Sequence, residues 1–86
     1  MAGHIEEAAG ALNTAGQAVP IEHLMAASGQ VPSVVAAIQQ AGGAAGEELA
    51  QIALALQAEI DTLAGRFVEL RQRLEAAAQA IMRGGY

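Results

Sequence analysis

The sequence predicts an all-α protein, an antiparallel helical hairpin with a Pro-segmented first arm and a long second helix. Three observations favour this fold. Alanine, the strongest helix former, fills 22 of 86 positions, while the residue types that strands prefer are scarce. Large apolar residues recur at helical spacing through the second half of the chain. Small residues cluster at the midpoint, where a short connection makes neighbouring helices antiparallel.

The first arm, residues 4–41, is predicted to be a series of short helices. Apolar and small residues alternate at steps of four and three up to Val19, and Pro20 then interrupts the pattern. A second stripe ends at Gly29, and Pro32 opens a third. Proline cannot donate the helical hydrogen bond, but it is favoured in the first turn of a new helix. The predicted helices are residues 4–18, 20–28 and 32–41.

The turn is predicted at residues 42–46, within the stretch AGGAAG. Glycine adopts the positive φ that ends one helix and redirects the chain. The segments 5–41 and 47–83 have equal length, which favours one arm folded onto the other.

The second arm is predicted to be one helix over residues 46–83. From Leu56 onward the apolar residues alternate at steps of four and three, which is the heptad pattern of a coiled coil. Its a positions are 60, 67, 74 and 81, and its d positions are 49, 56, 63, 70 and 77. Glu69 and Arg73 form a favourable i,i+4 pair. A close helix–helix contact is one explanation for Gly65 inside this helix.

The a/d seam is predicted to contact the first arm and a partner, because a chain this short buries little surface alone. Phe67 and Leu70 are expected in the buried part of the seam. A second, weaker apolar stripe at position b, which includes Met82, would serve association. The predicted interface residues are Leu49, Ile52, Leu56, Ile60, Leu63, Phe67, Leu70, Leu74, Ile81, Leu54 and Val68. We therefore expect one domain over residues 1–86, with a tail at 84–86, that completes a helical bundle by dimerisation.

The charge distribution argues against nucleic-acid binding. The net charge is −5, and residues 1–65 hold seven acids and neither Arg nor Lys. Residues 66–86 hold four Arg against two Glu, which we interpret as a solvated helix face. Affinity for nucleic acids depends on Lys and Arg neutralising the phosphates, and this chain has no basic patch of that kind.

No residue pattern predicts catalysis, a cofactor or a metal ion. The two histidines, His4 and His23, lie 19 residues apart, neither has another His at i+3 or i+4, and the chain has no Cys. The stretch from Gly42 to Gly46 follows no strand and carries no Lys or Thr, so it does not predict a phosphate loop. The sequence thus favours a non-enzymatic protein without cofactors.

Stable membrane insertion is not expected either. Residues 24–46 carry no charge, but they contain Pro, Ser, three Gln and several Gly and few large apolar residues. The acidic N-terminus, MAGHIEEAAG, differs from a signal peptide, which is basic and precedes an apolar stretch. The expected location is the cytoplasm, or outside the cell after export without a cleavable signal peptide.

The length, near-central turn, lack of Cys, Ala-rich acidic composition and long second helix resemble the WXG-type helical-hairpin proteins of bacterial type VII secretion. That resemblance covers nearly the whole chain and implies pairing into a four-helix homodimer or heterodimer. It rests on architecture, because Ala41-Gly42-Gly43 stands where the family has Trp-x-Gly. The family's C-terminal motif, Tyr followed by an acid four residues on, is also missing, since Tyr86 is the last residue. This implies the role of the partner subunit, which lacks the export motif.

Two functions stay open at this point. The chain is a secretion-associated helical partner or targeting subunit, as the resemblance implies. Alternatively, it is a cytoplasmic coiled-coil scaffold, adaptor or small regulatory subunit without a role in export. Both are protein–protein interaction modules.

Overall fold

The computed structural model describes residues 2–84, and these residues form three α-helices and no strand. Helix α1 is Ala2–Ala18, α2 is Ile21–Ala41 and α3 is Gly43–Met82. The predicted all-α class is confirmed. Most of the predicted tail, Gly85 and Tyr86, lies outside the described residues.

The helices contribute to two compact units. The first unit contains α1 and the part of α3 from Arg66 onward. The second unit contains α2 and the part of α3 up to Gly65. The single domain expected over residues 1–86 stays a prediction.

Proline acts differently at its two positions. Pro20 follows α1, whose end is marked by the Val19 amide donating to the Gly16 carbonyl over 3.4 Å. Pro32 instead lies inside α2, which runs unbroken from Ile21 to Ala41. The predicted break between residues 28 and 32 is therefore wrong.

A contact from α3 offsets the hydrogen bond that Pro32 removes. Proline has no N–H, so the Ser28 carbonyl, four residues earlier, loses its helical donor. The Gln57 Nε2 donates to that carbonyl over 3.0 Å. The Ser28 side chain is buried, and its Oγ donates to Asp61 Oδ1 over 2.5 Å. These bonds supply the tertiary reason why α2 continues through proline.

The connection between α2 and α3 is shorter than the predicted turn at 42–46. Gly42 alone separates the helices, and its amide donates to the Gln39 carbonyl over 3.1 Å. Gly42 and Gly43 have φ of 71° and 70°, which glycine adopts without strain. Gly46 lies within α3 and is buried, and a Cβ there would lie 3.2 Å from the Ile38 carbonyl oxygen. It therefore serves close packing rather than the turn.

The buried face of α3 consists of heptad positions a and e, not a and d. Its most buried residues are alanines at position e: Ala50 and Ala64 in the second unit, and Ala78 in the first, all 3–4% exposed. Small side chains let a neighbouring helix approach closely. In the first unit, α1 presents the buried Gly16, and its Cβ position lies 3.6 Å from the Arg71 Cγ. In α3 the small residues are therefore the most buried, whereas the predicted seam would have buried the large ones.

Gly65 needs a different explanation from the one the sequence suggested. Apart from the adjacent backbone of α3 itself, none of the described residues comes within 4 Å of the position that a Cβ would take there. The residue is exposed, so no close helix–helix contact within the chain requires it.

Candidate protein interface

The leucine row is the main exposed apolar feature of α3. It comprises Leu49, Leu56 and Leu63 in the second unit and Leu70 in the first, all at heptad position d. Their exposed fractions are 53%, 52%, 42% and 44%. Leucine is usually buried in folded proteins, and repeated exposure at one helical position is typical of an interaction surface.

The residues beside the leucine row differ on its two sides. At position a, Ile60 in the second unit and Phe67 and Leu74 in the first are half-buried, so each still offers apolar surface. At position g, Ile52 is 50% exposed, and Glu59 and Arg66 are exposed. The row therefore has an apolar margin towards the buried face and a margin with charges on the other side.

The stripe predicted at position b is weaker. Leu54 and Met82 are about half-exposed, and Val68 is half-buried. The b positions between them hold Asp61 and Glu75. Because these carboxylates interrupt the stripe, it offers less continuous apolar surface than the leucine row.

The structure changes the interpretation of two residues predicted in a buried seam. Phe67 is only half-buried, and Leu70 is exposed. Within the chain, the alanines at position e lie on the buried face, and the leucines at position d are exposed. Ile81 is half-buried, as are the other large residues at position a. Whether the eleven predicted interface residues contact another chain stays a prediction.

Charge is divided along α3. Between Gly43 and Gly65 the helix holds four acids and no base, whereas between Arg66 and Arg83 the chain holds four Arg and two Glu. The predicted pair is confirmed: Arg73 contacts Glu69 at 2.9 Å, with both side chains exposed. Such a pair adds little stability in water.

The contact of Gln57 with the Ser28 carbonyl was not anticipated from the sequence. One signal did exist: Pro32 frees the carbonyl four residues earlier, which is that of Ser28. The sequence does not say which side chain would supply the donor. Gln57 lies at position e, on the buried face among the alanines, and that placement identifies it.

The described residues present little for chemistry. His4 and His23 are exposed and lie in different units. Residues 2–84 contain no group of three or more His, Asp or Glu side chains placed to hold a metal ion. An open depression in the first unit is lined by Asn13, Glu75 and Arg83 among others, without a nucleophile beside a base.

None of the helices described over residues 2–84 has the combination of length and hydropathy needed to cross a bilayer. Comparison with models of protein families, with curated proteins and with solved structures found no match.

Proposed function

We propose that this chain is a non-enzymatic protein-binding module whose leucine row seats another α-helical chain. The observation that carries the proposal is the exposure of four leucines at one heptad position, while alanines fill the buried face of the same helix. Burying apolar surface favours association by about 25 cal/mol per Å². Stable interfaces bury roughly 1,600 Å² in total.

Contacts within the second unit support the antiparallel hairpin that we propose for the chain. In the second unit, Ile38 lies beside Gly46, close to the Gly42 turn, and Ser28 contacts Gln57, further from it. Residues in contact thus lie at similar distances from the turn along the two helices, as in antiparallel packing. We propose that such a hairpin completes a helical bundle when a second chain covers the leucine row.

For the biological role, we propose a secretion-associated helical partner, on the resemblance to the WXG-type proteins in length and helix order. The alternative is a cytoplasmic scaffold, adaptor or regulatory subunit. A reporter of export in the native host separates the two. The secretion role is supported if the folded chain is released from the cell and this release requires the ATPase of the type VII secretion system. The cytoplasmic role is supported if the chain stays in the cell with its bound helical partner.

Substitution of the leucine row tests the binding function. We expect Leu56→Asp to abolish association in sedimentation velocity, with the chain alone and with its helical partner, because it places a charge in the apolar contact. Ala55→Asp is the matched control, since Ala55 is the adjacent exposed residue at position c, away from the row. The proposal fails if the wild-type chain binds neither itself nor any helical protein, or if both variants associate equally.

A further inference from the structure

We propose that the part of the leucine row in the second unit seats a basic amphipathic helix of a different protein. This inference rests on the proposed function and names the chemistry of the partner. Two observations within the second unit carry it: the exposed apolar residues of α3 and the charge of the residues around them.

The apolar part of this surface comes from one segment of α3. Leu49, Leu56 and Leu63 at position d and Ile52 at position g are 42–53% exposed. Ile52 follows Leu49 by three residues and precedes Leu56 by four, so these side chains form one stripe along the helix. From Leu49 to Leu63 the stripe is about 21 Å long, at 1.5 Å per residue. A partner helix of about four turns covers this length.

The whole net charge of the chain lies in the second unit. Residues 21–65 hold five acids and neither Arg nor Lys, whereas the first unit holds four Arg against four acids. The five uncompensated acids account for the net charge of −5. A partner with Lys or Arg beside its apolar face complements this charge, and a partner with Asp or Glu there is repelled.

Acidic residues also lie directly beside the stripe. Glu59 is at position g, one heptad after Ile52, and Glu48 is at the neighbouring position c. Both side chains are exposed, and neither is in an ion pair with another residue of 2–84. Basic side chains at the edge of a partner's apolar face can therefore reach these two carboxylates while leucine contacts leucine.

A second copy of the same segment does not supply such a partner. It brings the same five acids and no base to the contact, so like charges would meet across it. Charge therefore selects a different protein, and its basic residues are the feature that distinguishes it from helical proteins in general.

Two synthetic peptides test the charge of the partner. Each has about 18 residues, roughly 27 Å as a helix, with leucine on one face and either lysine or glutamate on the other. Fluorescence anisotropy of the labelled peptide, titrated with the full chain where the peptide alone is monomeric, gives the dissociation constant. We expect the lysine peptide to bind at least about ten-fold more tightly than the glutamate peptide.

Substitutions locate the binding surface. Glu59→Lys reverses a charge beside the stripe and should raise the dissociation constant of the lysine peptide about five-fold. The matched control is Glu75→Lys, an equal change of net charge at an exposed residue of α3 in the first unit. We expect the control to shift the constant by no more than about two-fold.

Leu56→Asp separates docking on the stripe from attraction by charge alone. The added carboxylate makes the second unit more acidic, so attraction by charge alone would become stronger. Docking on the stripe loses an apolar contact instead, and we expect the dissociation constant of the lysine peptide to rise about ten-fold or more. Circular dichroism verifies that each variant keeps its helix content.

The outcomes separate this inference from the proposed function. A preference for the lysine peptide that both Glu59→Lys and Leu56→Asp weaken supports the basic partner. Equal binding of the two peptides, equal effects of Glu59→Lys and Glu75→Lys, or tighter binding by Leu56→Asp would overturn it. A row that binds the glutamate peptide or a second copy through Leu56, but not the lysine peptide, also overturns it and leaves the proposed function standing. A chain that binds neither peptide, neither itself nor any helical protein, defeats both.

Discussion

The two faces of α3 place their residues in opposite order of size. On the buried face, position e holds Ala50 and Ala64 in the second unit and Ala78 in the first. On the opposite side of position a, the leucine row is 42–53% exposed. The small residues allow close approach of α1 and α2 within their units, whereas the large residues have no cover of comparable extent from residues 2–84. This difference between the two faces is the observation on which the proposed protein-binding function rests.

The largest expected effect is the difference in stability between an aspartate on the buried face and an aspartate on the leucine row. The adjacent residues Ala64 and Leu63 provide this comparison. Ala64 is 3% exposed, so Ala64→Asp buries an unpaired carboxylate and should lower the free energy of unfolding by about 3 kcal/mol or more. Leu63→Asp places the same group in water and should cost about 1 kcal/mol, mostly as helix propensity and partial burial. Urea denaturation followed by circular dichroism, at a chain concentration that disfavours association, measures both.

If Ala64→Asp and Leu63→Asp lower the free energy of unfolding equally, the two faces do not differ in burial. The same reasoning changes the expectation for Leu70, which the sequence pattern placed in the buried part of the seam. Because Leu70 is 44% exposed, its substitution should resemble Leu63→Asp in stability and act mainly on association.

A smaller effect concerns Gln57, a polar residue on the buried face. Gln57→Ala removes the donor to the Ser28 carbonyl and should cost about 1–2 kcal/mol, the penalty of an unsatisfied, partly buried acceptor. In a Pro32→Ala background the backbone N–H of residue 32 is restored, so the same substitution should cost much less. A double-mutant cycle in urea measures this coupling. An identical cost in both backgrounds would show that Gln57 does not compensate for proline.

The smallest effect compares glycines on the two sides of the helix. Gly65→Ala should raise stability by about 1 kcal/mol, because helix propensity improves and the new methyl group has free space. At Gly46 a methyl group would lie 3.2 Å from the Ile38 carbonyl oxygen, so crowding should cancel the same gain. Thermal unfolding of the two variants provides the comparison. A gain of similar size at Gly46 would indicate that the buried face is less closely packed than the structure shows.

Residue types and their spacing were sufficient to predict the all-α class and the long helix α3. The alanine content and the sustained heptad spacing predicted a long helix over 46–83, and the structure has α3 at Gly43–Met82. The glycines marked the turn, because only their backbone adopts positive φ without strain. The exposed Glu69–Arg73 pair also followed from local spacing. Each of these features depends on neighbours within a few positions along the chain, and sequence patterns report such neighbours directly.

The tertiary structure alone decided which face is buried and whether proline breaks α2. Both depend on residues distant in sequence. Gln57 compensates for the carbonyl that Pro32 frees, 29 positions away at Ser28. The heptad pattern shows where large apolar residues lie around the helix, but not which neighbour reaches them first. Close packing favours the alanine face for contacts within the chain, because small side chains bring the backbones together, and the leucines are consequently left outside.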